Sequence, residues 1–286
     1  MDAALLQLEK MQIKHKHIQQ LYQKDGIYLF RIRCDDAQYV LKLFVKPEYR
    51  REIQNYNMLK SLNIPTMQIV ANTDCCLLME DIEQSPSFRL GCEEDIRDAK
   101  VISEIASWYK RLHTKGKAFL AENKMELYDE NDVISPENIA FIKARTHTAH
   151  SPVWVELEKN WDTLCSLIKK ADKTLTYNDF HYSNLIVAKD KSSAYMFDYN
   201  LLGKGCAYAD IRNVTHSFTD ADRERFISEY GGYQELEKRI DDVASVLVTL
   251  YFACKRDTFP KWAKASLQEI KNGFTDKLHK LIDFAG

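Results

Sequence analysis

Tyr177-Asn178-Asp179-Phe180-His181-Tyr182-Ser183-Asn184 runs directly into the apolar stretch Leu185-Ile186-Val187-Ala188, and Met196-Phe197-Asp198-Tyr199-Asn200 follows shortly after. The apolar stretch reads as a short buried strand. Residues 195–198 read as a second strand, joined to the first by a turn over residues 189–193. Asp179 and Asn184 stand five positions apart on a loop that enters a strand, so both side chains can face one cavity. Asp198, fourteen residues beyond Asn184, ends the second strand. Phosphoryl transfer needs a carboxylate beside an attacking hydroxyl and an amide oxygen on a magnesium ion. Magnesium in turn takes few carboxylates alongside phosphate oxygens and water. Each residue alone also reads as a turn former, since Asp and Asn cap turns through their own side chains.

Upstream, Tyr28, Phe30 and Ile32 alternate with other residues, Asp35-Asp36 makes a turn, and residues 39–44, YVLKLF, form a second run. This pattern predicts a hairpin. Pro47 then opens a predicted helix that ends near Leu62, where Asn63 and Pro65 stop it. Short strands are expected over residues 67–71 and 76–79. Lys42 sits among apolar neighbours on both faces of its strand, so its ammonium loses hydration and needs an anionic partner. Glu52 shares a helical stripe with Tyr56 and Leu59 and is the candidate partner. The other reading of Lys42 is a side chain that snorkels from an edge strand.

Beyond Glu80 the character turns helical. Ile102, Ile105, Tyr109 and Leu112 form one stripe, and Val153, Leu157, Trp161, Leu164 and Ile168 another. From Tyr208 onward nearly everything reads as helix, with Ile240, Val243, Leu247, Leu250 and Cys254 on one buried face. The expected architecture is therefore α+β. A small sheet with one main helix occupies residues 1–80, a short connector lies near residue 80, and a larger, mainly helical lobe occupies residues 81–286.

Composition excludes several classes. The chain of 286 residues carries 40 basic and 42 acidic side chains, and a net charge of -2 gives no field that would draw it onto nucleic acid. No run of ~18 apolar residues is present, so no membrane span is expected. The Met-Asp-Ala-Ala start lacks the basic and apolar regions of a signal peptide. Seven cysteines, an odd number without a CxxC pair, argue against a disulfide framework or a structural zinc site. Together these predict a cytoplasmic protein with reduced thiols.

Taken together, these features resemble the aminoglycoside phosphotransferase and choline kinase family of the kinase-like fold. Asp179-Phe180-His181-Tyr182-Ser183-Asn184 looks like its catalytic loop, Asp-x-His-x-x-Asn. Phe197-Asp198-Tyr199 looks like its metal-binding segment, and Leu41-Lys42 with Glu52 like its nucleotide-lysine pair. Leu112-His113 and Asp210 match softer features, and the resemblance spans residues 16 to 255 in order.

The resemblance implies a two-lobed, protein-kinase-like fold and transfer of the γ-phosphoryl group of ATP to a hydroxyl of a small molecule, with GTP left open as donor. It implies that Asp179 accepts or orients the acceptor hydroxyl and that Asn184 and Asp198 hold magnesium. Lys42 would bind nucleotide phosphates with Glu52 positioning it, and Glu80 and Ile82 would meet the adenine. His181 and Asp210 would brace the loop, while His181 on its own favours a structural role and His113, on an apolar stripe, is more often a satisfied core histidine. The C-terminal helices, which carry Asp220, Asp222, Glu224, Glu229, Glu235, Glu237, Asp241 and Asp242 with Tyr230, Tyr233, Tyr251 and Trp262, would build the acceptor pocket. Carboxylates and aromatics suit a cationic acceptor, although the same residues also read as a solvated helix face.

The departures are specific. Tyr177-Asn178 stands where the family usually has His-Gly, so another group must support the loop. The first hairpin carries only Gly26 in place of a glycine-rich run, and no Ala-Pro-Glu follows, which argues against a protein kinase. Some relatives of this fold, such as spore-coat proteins, have uncertain activity, and a non-catalytic role is the alternative reading.

Overall fold

The computed structural model describes residues 1–285. The chain opens with helix α1 (Asp2–Lys10) and strands β1 (His17–Lys24), β2 (Ile27–Arg33) and β3 (Gln38–Phe44), followed by helix α2 (Arg51–Ser61), β4 (Ile69–Asn72) and β5 (Cys76–Glu80). Next come β6 (Phe88–Leu90), α3 (Ala99–Glu122), α4 (Pro136–Arg145), α5 (Val153–Lys159), α6 (Trp161–Lys170) and β7 (Thr174–Thr176). The remainder runs through β8 (Leu185–Ala188), β9 (Ala194–Met196), β10 (Gly203–Gly205), α7 (Ala207–Thr215), α8 (Asp220–Tyr230), α9 (Glu235–Cys254), α10 (Lys264–Asn272) and α11 (Phe274–Ala285). The chain divides into two compact units.

The first unit comprises Met1–Leu112, Tyr177–Leu202 and Asn213–Tyr230. Its main sheet is fully antiparallel in the order β1-β2-β3-β5-β4. Phe30 pairs with Leu41 and Leu41 with Leu78, so these side chains share one face. There they pack with Leu43, Cys76 and the Ala4 and Leu8 side chains of α1. Each such aliphatic side chain contributes about 1.5–3 kcal/mol when fully buried. Lys42 points to the opposite face by the two-residue period of the strand, toward the buried stripe Glu52, Tyr56 and Leu59 of α2. The β1–β2 hairpin closes through Asp25 and Gly26, both at positive φ (52° and 91°), which is the two-residue turn that matches strand twist. A second sheet in this unit, β6-β8-β9, carries the loop from Tyr177 to Asn184 into β8.

The predicted hairpin over residues 28–44 is formed, as is the strand pair from residue 185 to 196. Several boundaries differ from the sequence reading. The strand expected over residues 195–198 is Ala194–Met196, so Asp198 lies two residues beyond its end, where the backbone turns left-handed, and the strand expected over 67–71 is Ile69–Asn72. Pro47 opens a single 3-10 turn, Pro47–Tyr49, and the α-helix starts only at Arg51, because Arg50 ends that turn. The stripe from Val153 to Ile168 is two helices, broken at Asn160, whose backbone leaves helical geometry at φ -105° and ψ 10°. Helix α1 and edge strand β1 escaped sequence analysis. Nearly every residue of β1 is exposed, so it lacks the alternating pattern that marks a half-buried strand.

The second unit comprises His113–Thr176, Gly203–Arg212 and the chain from Gly231 onward. Its core is helical, with Val243, Leu247 and Leu250 of α9 against Trp154, Leu157, Phe274 and Leu278. Strands β10 and β7 pair antiparallel, and Gly203 lies so close to Tyr128 that a Cβ there would sit 2.0 Å from the Tyr128 carbonyl oxygen. Among the described residues no helix is long and apolar enough to cross a membrane.

Candidate functional site

The alternation of β3 aims Lys42 at the first turn of α2, and its Nζ lies 2.7 Å from the Glu52 carboxylate. The same Nζ lies 2.8 Å from Oδ1 of Asp198, a residue 156 positions away. Asp198 follows β9 in the left-handed region, at φ 61° and ψ 71°. Lys42 and Glu52 are buried, while the Asp198 side chain keeps 38% of its surface exposed. Burial opposes the Lys42 charge, but Glu52 and Asp198 outweigh it and hold the ammonium above its ordinary range. Burial likewise pushes the Glu52 carboxyl up; Lys42 pulls against that push and Asp198 adds to it. One ammonium therefore faces two carboxylates, and the more exposed of them is the one that an incoming anion can displace.

These three residues line a cavity of about 500 Å³ in the first unit. Leu29, Val40, Met67, Met79 and Phe197 supply apolar walls, and Glu80 and Ile82 lie at the connector edge. An apolar slot that ends in a charged cluster is suited to a flat heterocycle bearing an anionic tail. Glu80 is engaged with Gln68 through both its backbone N–H, at 3.1 Å, and its carboxylate, at 3.0 Å. The sequence reading missed Arg31 and gave no site role to the side chains of Asp81 and Tyr56, all of which line the same cavity. Arg31 donates to Asp81 at 2.7 Å and also to Glu83, tying β2 to the connector. Arg31 lies opposite Val40 across the strand pair, so the period that located Lys42 also carries the signal for Arg31.

Asp179 and Asn184 are not part of that lining. They are bonded to each other: Asn184 Nδ2 donates to the Asp179 carbonyl at 3.1 Å and to its carboxylate at 3.3 Å. Burial first, and then Asp198, push the Asp179 carboxyl up to about 6, with Lys42 and the Asn184 bond opposing. That value leaves it ionised at neutral pH but more basic than a free carboxylate. With Nδ2 committed to Asp179, the Asn184 amide oxygen is the atom that can serve as a ligand. One amide oxygen and one partly exposed carboxylate match the sparse protein contribution of a magnesium site completed by phosphate and water. Among the described residues no group of three or more His, Cys, Asp or Glu side chains is arranged to hold a metal.

His181 caps the turn after Asp179. Its Nδ1 accepts from the Ser183 backbone N–H at 3.2 Å, with the Ser183 hydroxyl at 2.8 Å, so it braces the loop locally. In the second unit, His113 Nε2 lies 3.1 Å from Asp210, and both are buried. The acidic residues of the C-terminal helices are largely engaged. Asp241 accepts from Arg212 at 2.6 Å, Asp242 from Lys238 at 2.9 Å and Glu237 from the Tyr208 N–H at 3.2 Å. Glu235 pairs with Arg239, while Asp220, Glu224 and Glu229 lie exposed on α8. Tyr233 packs edge-on against Tyr208 at 4.9 Å, whereas Trp262 is exposed.

A family model described as the phosphotransferase enzyme family (APH) matches residues 28–243. Among solved structures, the chain is similar to the choline kinase LicA from Streptococcus pneumoniae, with 17% identity over 96% of this chain and 97% of that one, at a TM-score of 0.65. It is similar to the macrolide 2'-phosphotransferase MphH from Brachybacterium faecium, with 16% identity over 96% and 99% at 0.61. It is also similar to a ternary complex of streptomycin, ATP and APH(2'')-IIa, with 17% identity over 97% and 98% at 0.58. At these identities the likeness establishes the fold, which is that of the kinase-like phosphotransferases. No curated protein sequence matches the chain.

Proposed function

The chain belongs to the phosphotransferase enzyme family, and from that premise we propose that it moves the γ-phosphoryl group of ATP to a hydroxyl of a small molecule. The observation that carries the reading is the Lys42 ammonium, bonded to both Glu52 and Asp198 at the charged end of an apolar cavity. Lys42 meets phosphate oxygens, and Glu52 holds it in place. The purine lies between Leu29, Val40 and Met79, with its edge at Glu80 and Ile82. Asn184 and Asp198 hold magnesium, which when bound neutralises charge on the phosphates. In this reading residues 1–80 hold the nucleotide, and residues 81–286 supply the catalytic loop and the acceptor-binding helices.

Asp179 is the base. A new bond forms between the acceptor oxygen and the γ-phosphorus, the bond from that phosphorus to ADP breaks, and the hydroxyl proton passes to the Asp179 carboxylate. In a loose transition state this transfer comes late, so orientation of the hydroxyl is the larger contribution. A neighbour that holds ATP supports ATP as donor. A structural neighbour that is a choline kinase supports a cationic acceptor. The seven free cysteines support a reducing, cytoplasmic setting.

The test is ADP release with magnesium and ATP across choline, ethanolamine, aminoglycosides, macrolides and neutral alcohols. One of these should stimulate release, and Asp179→Asn should lower kcat by ~10²–10⁴-fold while nucleotide affinity changes little. A protein that binds ATP but responds to no acceptor refutes the enzyme reading in favour of a non-catalytic role. An Asp179→Asn protein with normal turnover refutes the assignment of the base.

A further inference from the structure

The residues that depart from the family pattern, Tyr177 and Asn178, both reach the segment around Asp198. The Tyr177 hydroxyl donates to the Phe197 carbonyl at 2.5 Å, and Asn178 Nδ2 donates to the Leu201 carbonyl at 3.0 Å. The Phe197 N–H donates to the Asn184 carbonyl at 3.0 Å. The two peptide groups that flank Phe197, immediately before Asp198, are thus held on both sides by the loop that carries Asp179 and Asn184. Tyr177 is fully buried, with its ring edge-on to Tyr199 and Trp108 at 5.8 Å each. Asp198 keeps a left-handed backbone, φ 61°, which Asp, with its short polar side chain, adopts more readily than most residues other than glycine. Asn178 is itself left-handed at φ 65°, a conformation Asn tolerates.

We infer that Tyr177 is a positioning residue whose hydroxyl sets the spacing between Asp179 and Asp198 by gripping the carbonyl one residue before Asp198. It answers the absence of the family's usual His by reaching across to the neighbouring segment. Asn178 adds a second tie downstream, so the base-bearing loop and the Asp198 segment move as one piece. The inference rests on the phosphotransferase reading for its kinetic consequence alone. The opposing view is a buried tyrosine that merely satisfies its hydroxyl and supports the fold as a whole.

Tyr177→Phe keeps the ring and removes only the hydroxyl. Amide hydrogen exchange of the ligand-free protein reads the brace directly. Residues 198–201 should exchange roughly tenfold faster, the scale of one lost hydrogen bond, while β8 keeps its protection. In turnover, kcat should fall by ~10–100-fold, as expected for a sub-ångström to ångström misplacement. Nucleotide affinity without magnesium should hold, and the magnesium midpoint should rise. Tyr177→His should recover part of the rate. Asn178→Gly, which keeps the left-handed backbone and loses the bond to Leu201, carries the same exchange test should Tyr177→Phe fail to fold. Unchanged exchange over residues 198–201 overturns the inference, and so does an increase spread evenly over the chain. The exchange result decides the matter even for a wild type that turns over no acceptor, so failure of this inference and failure of the phosphotransferase reading are told apart.

Discussion

Lys42→Met removes the ammonium that joins Glu52 to Asp198 and keeps the apolar stem on β3. Breaking a buried pair costs about 3–5 kcal/mol because a buried charge is left without compensation. Asp198, with 38% of its side chain exposed, can turn to solvent, so only Glu52 is stranded and the low end applies. A loss of about 3 kcal/mol at pH 8 lowers Tm by roughly 6–12 °C on the scale of ~2–4 °C per kcal/mol for chains of this size class. The loss should depend on pH. Without Lys42, nothing opposes burial and Asp198, which already push the Glu52 carboxyl up, and its folded-state pKa rises further above the unfolded value. The folded protein then binds more protons than the unfolded chain between those two pKa values, so stability falls as pH rises through that window. Lys42 itself stays charged at both pH 5.5 and pH 8, since its ordinary pKa, 10.5, lies well above both and its folded one higher still, so the pH dependence comes from Glu52. The variant should therefore be close to wild type at pH 5.5, where Glu52 takes a proton, and clearly weaker at pH 8. Urea and thermal unfolding of both proteins at the two pH values, without nucleotide, measure the difference. A loss equal at both pH values, or one under ~1 kcal/mol at pH 8, would refute the reasoning.

Asp198→Ala should abolish magnesium-dependent ADP release while the protein stays folded, because Lys42 keeps Glu52 as partner at 2.7 Å; circular dichroism alongside the turnover assay checks both halves. Gly203→Ala should destabilise the protein by about 3 kcal/mol or more, since the new Cβ meets backbone at 2.0 Å. Gly205→Ala, whose Cβ comes no closer than 3.3 Å to the Thr176 side chain, should cost far less in the same unfolding measurement.

The candidate loop from Asp179 to Asn184 was legible in the sequence because its pattern is local. Asp179, Asn184 and the strand that follows lie within a dozen residues, and turn preferences and an apolar run mark them without help from the rest of the chain. Lys42 and Glu52 were legible for a related reason: a charge flanked by apolar neighbours on a strand must find a partner, and the next helix offers one ten residues on. Helix α1 and strand β1 were not legible, because α1 gains its burial only by covering a sheet built from later residues, while β1 is almost wholly exposed and lacks an alternating pattern.

Sequence alone thus determined most of the strand-and-helix plan and the candidate site residues, since periodicity and turn chemistry express local backbone physics, while the family entered through a resemblance of short motifs. Tertiary structure alone decided that Lys42 bonds Asp198 as well as Glu52, that Arg31 clamps Asp81 and Glu83, and that Tyr177 holds the carbonyl before Asp198. Those contacts join residues separated by 156, 50, 52 and 20 positions. No periodic pattern reaches across such distances, because partners so far apart in the chain are chosen by packing of the finished sheet and loops.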